Sequence, residues 1–241
     1  MKGIILAGGK GTRLYPLTKV TNKHLLPVGK EPMIFNPIKQ LTSSDINEIL
    51  IVTSTENMGD IVNLLGSGKE FEADFTYKVQ ETSAGIADAL RLGENFAKSE
   101  KIVVVLGDNI ATKSIKSYVK NFESQKTGAR VLLKEVNDPT RYGIAALDEE
   151  KIIEIQEKPG LPKTNFAVIG YYMYDEKVFE FIKRQKPSER GEYEITDVNN
   201  EYIKLGEMEY DILDGEWTDA GTFESLQIAN QMLLECNNKI K

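Results

Sequence analysis

Four short segments rich in β-branched and apolar residues, GIILA at 3–7, EILIVTS at 48–54, FTYKVQ at 75–80 and KIVVVLGD at 101–108, alternate with stretches of helical periodicity. Segments of this composition suit strands covered on both faces. The stretches between them, PMIFNPIKQL at 32–41, MGDIVNLL at 58–65 and AGIADALRLGENFAK at 84–98, supply the covering helices. Strand, helix and strand in repetition require right-handed crossovers and a mostly parallel sheet, so the fold class is α/β. The second half is less regular. ARVLLKEV, KIIEIQEKP and FAVIGYYMYD predict strands, EKVFEFIKRQ predicts a helix, and a closing helix is expected from about Thr222 to the C-terminus. No linker, repeat or compositional break divides the 241 residues. A single domain is expected, with one half of about 1–110, a second of about 111–221, and the closing helix 222–241.

With 30 Lys and Arg against 37 Asp and Glu, the net charge is -7, and the whole-molecule field repels nucleic acid and anionic lipid. The first thirty residues nevertheless hold six Lys or Arg and no acid, so this basic opening serves something small and local. The single cysteine, Cys236, excludes a disulfide framework and a Cys-based metal cluster, and reads as a small hydrophobe on an apolar helix. The apolar run IILA is cut by Gly8 to Gly11 and Arg13, far below signal-peptide length, and no apolar stretch approaches the length of a bilayer span. A soluble, cytoplasmic protein is expected.

Open parallel sheets bind ligands beyond the carboxyl ends of their strands. After the first strand comes AGGKGTR, in which Gly8, Gly9 and Gly11 let backbone N–H groups approach an anion while Lys10 and Arg13 add charged donors. That is the chemistry of a phosphate cradle. Two familiar phosphate loops do not fit. The dinucleotide fingerprint requires glycine where Leu14 stands, and a Walker loop requires Ser or Thr where Gly11 stands, which disfavours an oxidoreductase and a P-loop NTPase. Asp108, at the end of KIVVVLGD, and Asp219, in EWTDAGT, are candidates for a hard cation, which takes one or two carboxylates plus substrate phosphates. Sequence spacing does not show whether the fold unites them, and a turn or cap role is the plain reading of either alone. His24 reads as a hydrogen-bonded loop or partly buried residue, and Trp217 and the tyrosines 171, 172 and 174 read mostly as packing.

LAGGKGTRLYPLT with NKHLLPVGKEPMI, then LGDN, YGI, EKP, GYYMYD, RGEYEITDVN and WTDAGT, in this order from Met1 to about Gly221, resemble the sugar-1-phosphate nucleotidylyltransferases. EITDVN with WTDAGT narrows the resemblance to the thymidylyl branch, in a short form. It implies a three-layer, Rossmann-like, mostly parallel mixed sheet flanked by helices, of the nucleotide-diphospho-sugar transferase type. It also implies transfer of a thymidylyl group from dTTP to glucose 1-phosphate, giving dTDP-glucose and pyrophosphate with Mg²⁺ as cofactor. The nucleotide would meet Leu6, Ala7, Gly8, Gly9, Gly11, Thr12, Arg13 and Asp108, with Arg13 and Lys23 as the catalytic pair on the phosphates and Gln80 and Gly85 at the base. The sugar phosphate would meet Tyr142, Gly143, Glu157, Lys158, Val168 and Gly170, with Arg190 and Glu192 closing near the phosphates, and Asp108 and Asp219 would hold the metal. Ser83, Ile86, Asp88 and Ile169 depart from the family pattern of proline, leucine, glutamine and threonine at those positions.

The chemistry of phosphoryl transfer agrees with this resemblance. The nucleophile would be a phosphate oxygen, already anionic at neutral pH, so no general base is needed, and positioning and positive charge do the rest. An acid-free opening avoids carboxylates that would repel a triphosphate. Alternatives are a UTP- or other NTP-using relative and a non-catalytic sugar-nucleotide sensor on the same fold. The presence of Arg13, Lys23, Asp108, Lys158 and Asp219 favours the enzyme. The expected partners are small molecules, without nucleic acid or membrane, and a homo-oligomer is left open. Longer family members carry C-terminal helices that form a second, regulatory nucleotide site. About twenty residues follow WTDAGT here, so hyperbolic kinetics and product inhibition competitive with dTTP are expected.

Overall fold

The computed structural model describes residues 1–239, so the last two residues of the expected closing helix lie outside the described residues. The chain forms two compact units that interleave along the sequence. One, here the parallel unit, takes residues 3–83, 105–116 and the segment from Asp214 onward. The other, the antiparallel unit, takes residues 1–2, 84–104 and 117–213.

In the parallel unit the strands Lys2–Ala7, Glu48–Ser54 and Asp74–Gln80 pair in parallel. Their register sets Ala7 beside Thr53 and Ser54 beside Gln80, which aligns the three carboxyl ends. Ile4, Ile5, Ile49, Leu50, Ile51 and Val52 are all fully buried, which is why these strands read as continuous apolar runs. Asp74–Gln80 is an edge strand and alternates between buried and exposed positions, hence its mixed composition. The helix Met58–Leu65 has the expected bounds. The helix expected from Pro32 starts later, at Phe35, because Glu31–Pro32 is drawn into a two-residue ribbon with Pro27–Val28. Thr222 caps the closing helix Phe223–Lys239: its Oγ1 accepts from the Ser225 N–H at 3.2 Å while its own N–H donates to Ser225 Oγ at 3.0 Å. Ala229 and Met232 of that helix pack on Leu14, Leu26, Val28, Met33, Ile110 and Ala220.

In the antiparallel unit the strand order is Lys151–Glu157, Gly143–Asp148, Phe166–Tyr174, Ala129–Glu135 and Met208–Ile212, antiparallel except for the last pair. The expected helix in EKVFEFIKRQ forms over Lys177–Arg184, and a further helix, Ile195–Lys204, carries most of the EITDVN motif. The single helix expected over 84–98 is instead two, Ile86–Arg91 and Glu94–Ala97. The break falls at Gly93, a poor helix former, whose N–H turns back to the Leu90 carbonyl at 2.9 Å. Among the described residues no helix is long and apolar enough to cross a membrane.

Candidate active site

The aligned carboxyl ends of the parallel unit carry the glycine loop. Gly8 follows directly on Ala7, and a Cβ placed on it would stand 3.2 Å from Gln80 Oε1, so the Gln80 amide lies against the start of the loop. Gly11 takes φ +60, and a Cβ there would meet Thr18 Cγ2 at 2.8 Å. That left-handed, closely packed turn favours glycine. The Thr18 hydroxyl donates to the Gly11 carbonyl at 2.9 Å, and Leu14, fully buried, anchors the 3₁₀ turn Thr12–Leu14. Lys10, Thr12 and Arg13 are left exposed.

The two candidate metal residues, Asp108 and Asp219, distant in sequence, are brought onto neighbouring backbone segments. The short strand Asn109–Ala111 pairs antiparallel with Trp217–Asp219, setting Asp219 opposite Asn109, and the Ala220 N–H donates to the Asp108 carbonyl at 2.8 Å. Lys23 Nζ lies 2.5 Å from Asp108 Oδ2, Asn109 Nδ2 donates to Asp108 Oδ1 at 3.0 Å, and Trp217 Nε1 donates to Asn109 Oδ1 at 2.8 Å. Burial pushes the Asp108 carboxyl pKa up, but Lys23, His24 and the two hydrogen bonds outweigh it and hold the pKa well below the ordinary range. Asp108 is therefore a carboxylate at neutral pH. Arg13 and Asp219 both flank Gly221, where an added Cβ would stand 3.0 Å from Arg13 Nη2 and 3.5 Å from Asp219 Oδ2. No group of three or more His, Cys, Asp or Glu among the described residues forms a metal cage.

His24 is buried beside this site. The Asn22 Oδ1 accepts from the His24 backbone N–H at 2.7 Å, which fixes that atom as an acceptor, so the ring Nδ1, 2.6 Å away, carries the proton. Gly107 leaves room for the ring: a Cβ there would lie 2.7 Å from His24 Cδ2. Burial, reinforced by Lys23 and opposed by Asp108, pulls the imidazole pKa down to about 3. The ring stays neutral in the folded chain while an unfolded histidine protonates below about pH 6.5, so folding stability falls with pH from there to about pH 3. The expected slope is about 1.4 kcal/mol per pH unit. Acid unfolding followed by circular dichroism checks this, and a His24→Gln chain should lose that part of the slope.

The antiparallel unit holds the residues expected at the sugar phosphate. Glu157 ends the strand Lys151–Glu157 and pairs with Gly143, which in turn pairs with Val168. Its Oε2 accepts from the Thr196 hydroxyl at 2.6 Å, and its Oε1 lies 3.3 Å from Lys158 Nζ and 3.2 Å from Arg190 Nη2. The Lys158 N–H donates to the Tyr142 carbonyl at 3.0 Å. Gly170 falls in a register shift between Val168 and Tyr172. Arg190 also contacts Glu194 at 2.8 Å and Glu192 at 3.7 Å, so its guanidinium sits among three carboxylates. Gly85 belongs to this unit too. At φ +103, with an added Cβ only 2.5 Å from the Tyr193 carbonyl oxygen, it lies flat against that backbone, and Tyr193 donates to Ala84 O at 2.8 Å. Burial and the neighbouring Glu194 and Glu157 raise the pKa of Asp197.

Sequence reasoning did not single out Asn109, Thr196 or Glu194. Thr196 and Glu194 stand inside the quoted motif EITDVN, and Asn109 inside LGDN, so the signal was present without a partner to give it meaning. Trp217, read as packing, also fixes Asn109 through its indole N–H.

The nucleotidyl transferase family profile matches residues 2–235. A glucose-1-phosphate thymidylyltransferase of Neisseria meningitidis is 41% identical over 99% of this chain and 84% of its own, and one of Mycobacterium tuberculosis is 39% identical over 94% of this chain and 80% of its own. Among solved structures, a Bacillus anthracis protein provisionally identified as a glucose-1-phosphate thymidylyltransferase, in complex with sucrose, superposes with a TM-score of 0.93. It is 57% identical over 96% of this chain and 94% of that one. A UDP-glucose pyrophosphorylase complexed with UDP-glucose gives a TM-score of 0.87 at 25% identity, covering 97% of this chain and 98% of that one. The mixed, mostly parallel sheet flanked by helices is that of the nucleotide-diphospho-sugar transferases. With motif order, fold and sequence agreeing over nearly its whole length, the chain belongs to the nucleotidyl transferase family.

Proposed function

We propose that the chain transfers a thymidylyl group from dTTP to glucose 1-phosphate, releasing pyrophosphate and forming dTDP-glucose. The observation that carries this reading is the meeting of the glycine loop, Arg13, the Lys23–Asp108 pair and Asp219 at one end of the parallel strands, in a chain 41% identical to a glucose-1-phosphate thymidylyltransferase. The attacking group is a phosphate oxygen of the sugar phosphate, an anion that needs no base, which agrees with His24 being buried and neutral. It attacks the α-phosphorus in line as pyrophosphate departs. Arg13 and Lys10 supply positive charge on the exposed side of the loop. Lys23, held by Asp108, is a fixed cation rather than a wandering one.

Two aspartates on neighbouring backbone segments, the Asp108 carboxyl kept ionised by Lys23, suit Mg²⁺, which needs few protein ligands when substrate phosphates and water complete its shell. Asp108 and Asp219 would hold the ion, and when bound it would offset charge on the phosphate oxygens.

Gln80 offers a donor and an acceptor on one amide, matching the N3–H and carbonyls that thymine and uracil share. The two bases differ by a methyl group, which an apolar contact discriminates by about 1 to 3 kcal/mol. The expected order of kcat/KM is dTTP first, UTP within about a hundredfold, and CTP and the purine nucleotides last. Pyrophosphate release measured with Mg²⁺, glucose 1-phosphate and each triphosphate tests the function and the order together. ATP or GTP at the top would overturn the thymidylyl reading and leave nucleotidyl transfer standing, whereas no release with any triphosphate would favour a sensor.

A further inference from the structure

We propose that Asn200 is a positioning residue for the Glu157 carboxylate, acting by locking the helix Ile195–Lys204 in register with the strand Lys151–Glu157; the inference rests on Glu157 serving the sugar phosphate. Lys151–Glu157 ends the strand order of its unit and pairs on one side only with Gly143–Asp148. An edge strand of this kind has outward N–H and C=O groups to satisfy and little to stop it sliding. Its register already shifts between Ile152 and Glu154. Asn200 takes both outward groups of a single residue. Its Oδ1 accepts from the Ile155 N–H at 3.0 Å, and its Nδ2 donates to the Ile155 carbonyl at 2.8 Å. A side-chain amide, with one acceptor and a donor, substitutes there for a neighbouring strand.

The spacing turns this clamp into a ruler. Thr196 lies four residues before Asn200, about 6 Å along a helix, while Glu157 lies two residues beyond Ile155, about 6.6 Å along a strand. Helix and strand run in opposite senses, so both contacts close at once, and the Thr196 hydroxyl reaches Glu157 Oε2 at 2.6 Å. A slip of one strand residue, about 3.3 Å, would break that bond. On the same helix Asn199 accepts from the buried Tyr174 hydroxyl at 2.6 Å, tying the helix to a second strand. Thr196 and Asn199 are both almost wholly buried, so the helix has a fixed seat from which Asn200 sets the strand. Glu157 gains from this a carboxylate held before any ligand arrives, and Arg190 and Lys158 gather on its other oxygen.

The test is steady-state kinetics of Asn200→Ala, Thr196→Val, the double variant and Glu157→Gln. Asn200→Ala should raise the KM for glucose 1-phosphate about tenfold while the KM for dTTP stays within about twofold. The double variant should lose less than the product of the two single losses, because both changes release the same carboxylate. Equal rises in both KM values, a lower melting temperature without a KM split, or strictly multiplicative losses would overturn the proposal. If Glu157→Gln raises the KM for glucose 1-phosphate and Asn200→Ala does not, the positioning role alone falls. If Glu157→Gln changes nothing, the role of Glu157 falls and takes this inference with it. Should Asn200→Ala not fold, Asn200→Asp, which keeps the acceptor for the Ile155 N–H, carries the same comparison.

Discussion

Asp108→Asn is expected to lower kcat by about three orders of magnitude while leaving the fold in place, since a preorganised charge at a phosphoryl centre is worth about that much. The fold should survive because what ties this residue to the Trp217–Asp219 ribbon is its backbone: the Asp108 carbonyl accepts from Ala220 whatever the side chain. Asparagine keeps the shape and can keep the contact with Asn109, but it removes the charge that holds Lys23 at 2.5 Å. Two functions are then lost together, one carboxylate of the proposed cation site and the anchor of the lysine. Asp219→Asn should lower kcat as well but leave Lys23 in place, so the two variants should differ in how far added Mg²⁺ recovers the rate. There is a pH consequence of known sign. The Asp108 pKa is depressed on folding, so its charge contributes stability above the unfolded carboxylate range, and that contribution is lost as pH falls below it. Kinetics at a series of Mg²⁺ concentrations, with circular dichroism as the folding control, decides the matter. Near-normal, Mg²⁺-dependent turnover in both variants would end the assignment of these carboxylates to the metal.

That pair also shows where sequence reading stops. Glu48–Ser54 and Met58–Leu65 were legible to the residue, because burial on both faces of a strand and one apolar stripe on a helix leave local patterns. The glycine loop was legible for a similar reason: Gly11 answers a backbone demand that its own neighbours create. The union of Asp108 with Asp219 depends on a ribbon of two three-residue strands, too short to have a period. The Thr196–Glu157 contact depends on the registry of a helix against a strand, which no spacing within either segment encodes. Even the split at Gly93 followed from one residue overriding an otherwise helical pattern.

Lys158→Ala should raise the KM for glucose 1-phosphate by about 10- to 150-fold, the equivalent of about 1.5 to 3 kcal/mol for a charge-assisted contact to phosphate, and leave the KM for dTTP unchanged. The backbone gives a reason to expect a functional role for this lysine. Lys158 holds φ +45, a conformation in which a side chain costs about 1 kcal/mol or more and which persists where the surroundings impose it. Its N–H is fixed to the Tyr142 carbonyl at 3.0 Å, so the turn is held whether or not the amine is there. The amine contacts Glu157 at 3.3 Å yet the side chain is 46% exposed, close enough to be aimed and open enough to receive a ligand. Removing it should not release Glu157, which Thr196 and Arg190 still hold. Lys158→Gly separates the two contributions. Glycine relieves the backbone and deletes the same amine, so it should match the alanine variant in KM while melting at a higher temperature than that variant. Initial rates against each substrate, with thermal unfolding of all three chains, give the comparison. If the dTTP KM rose as much as that for glucose 1-phosphate, Lys158 would belong with the nucleotide phosphates, and the strained turn after Glu157 would have to be explained as a nucleotide contact instead.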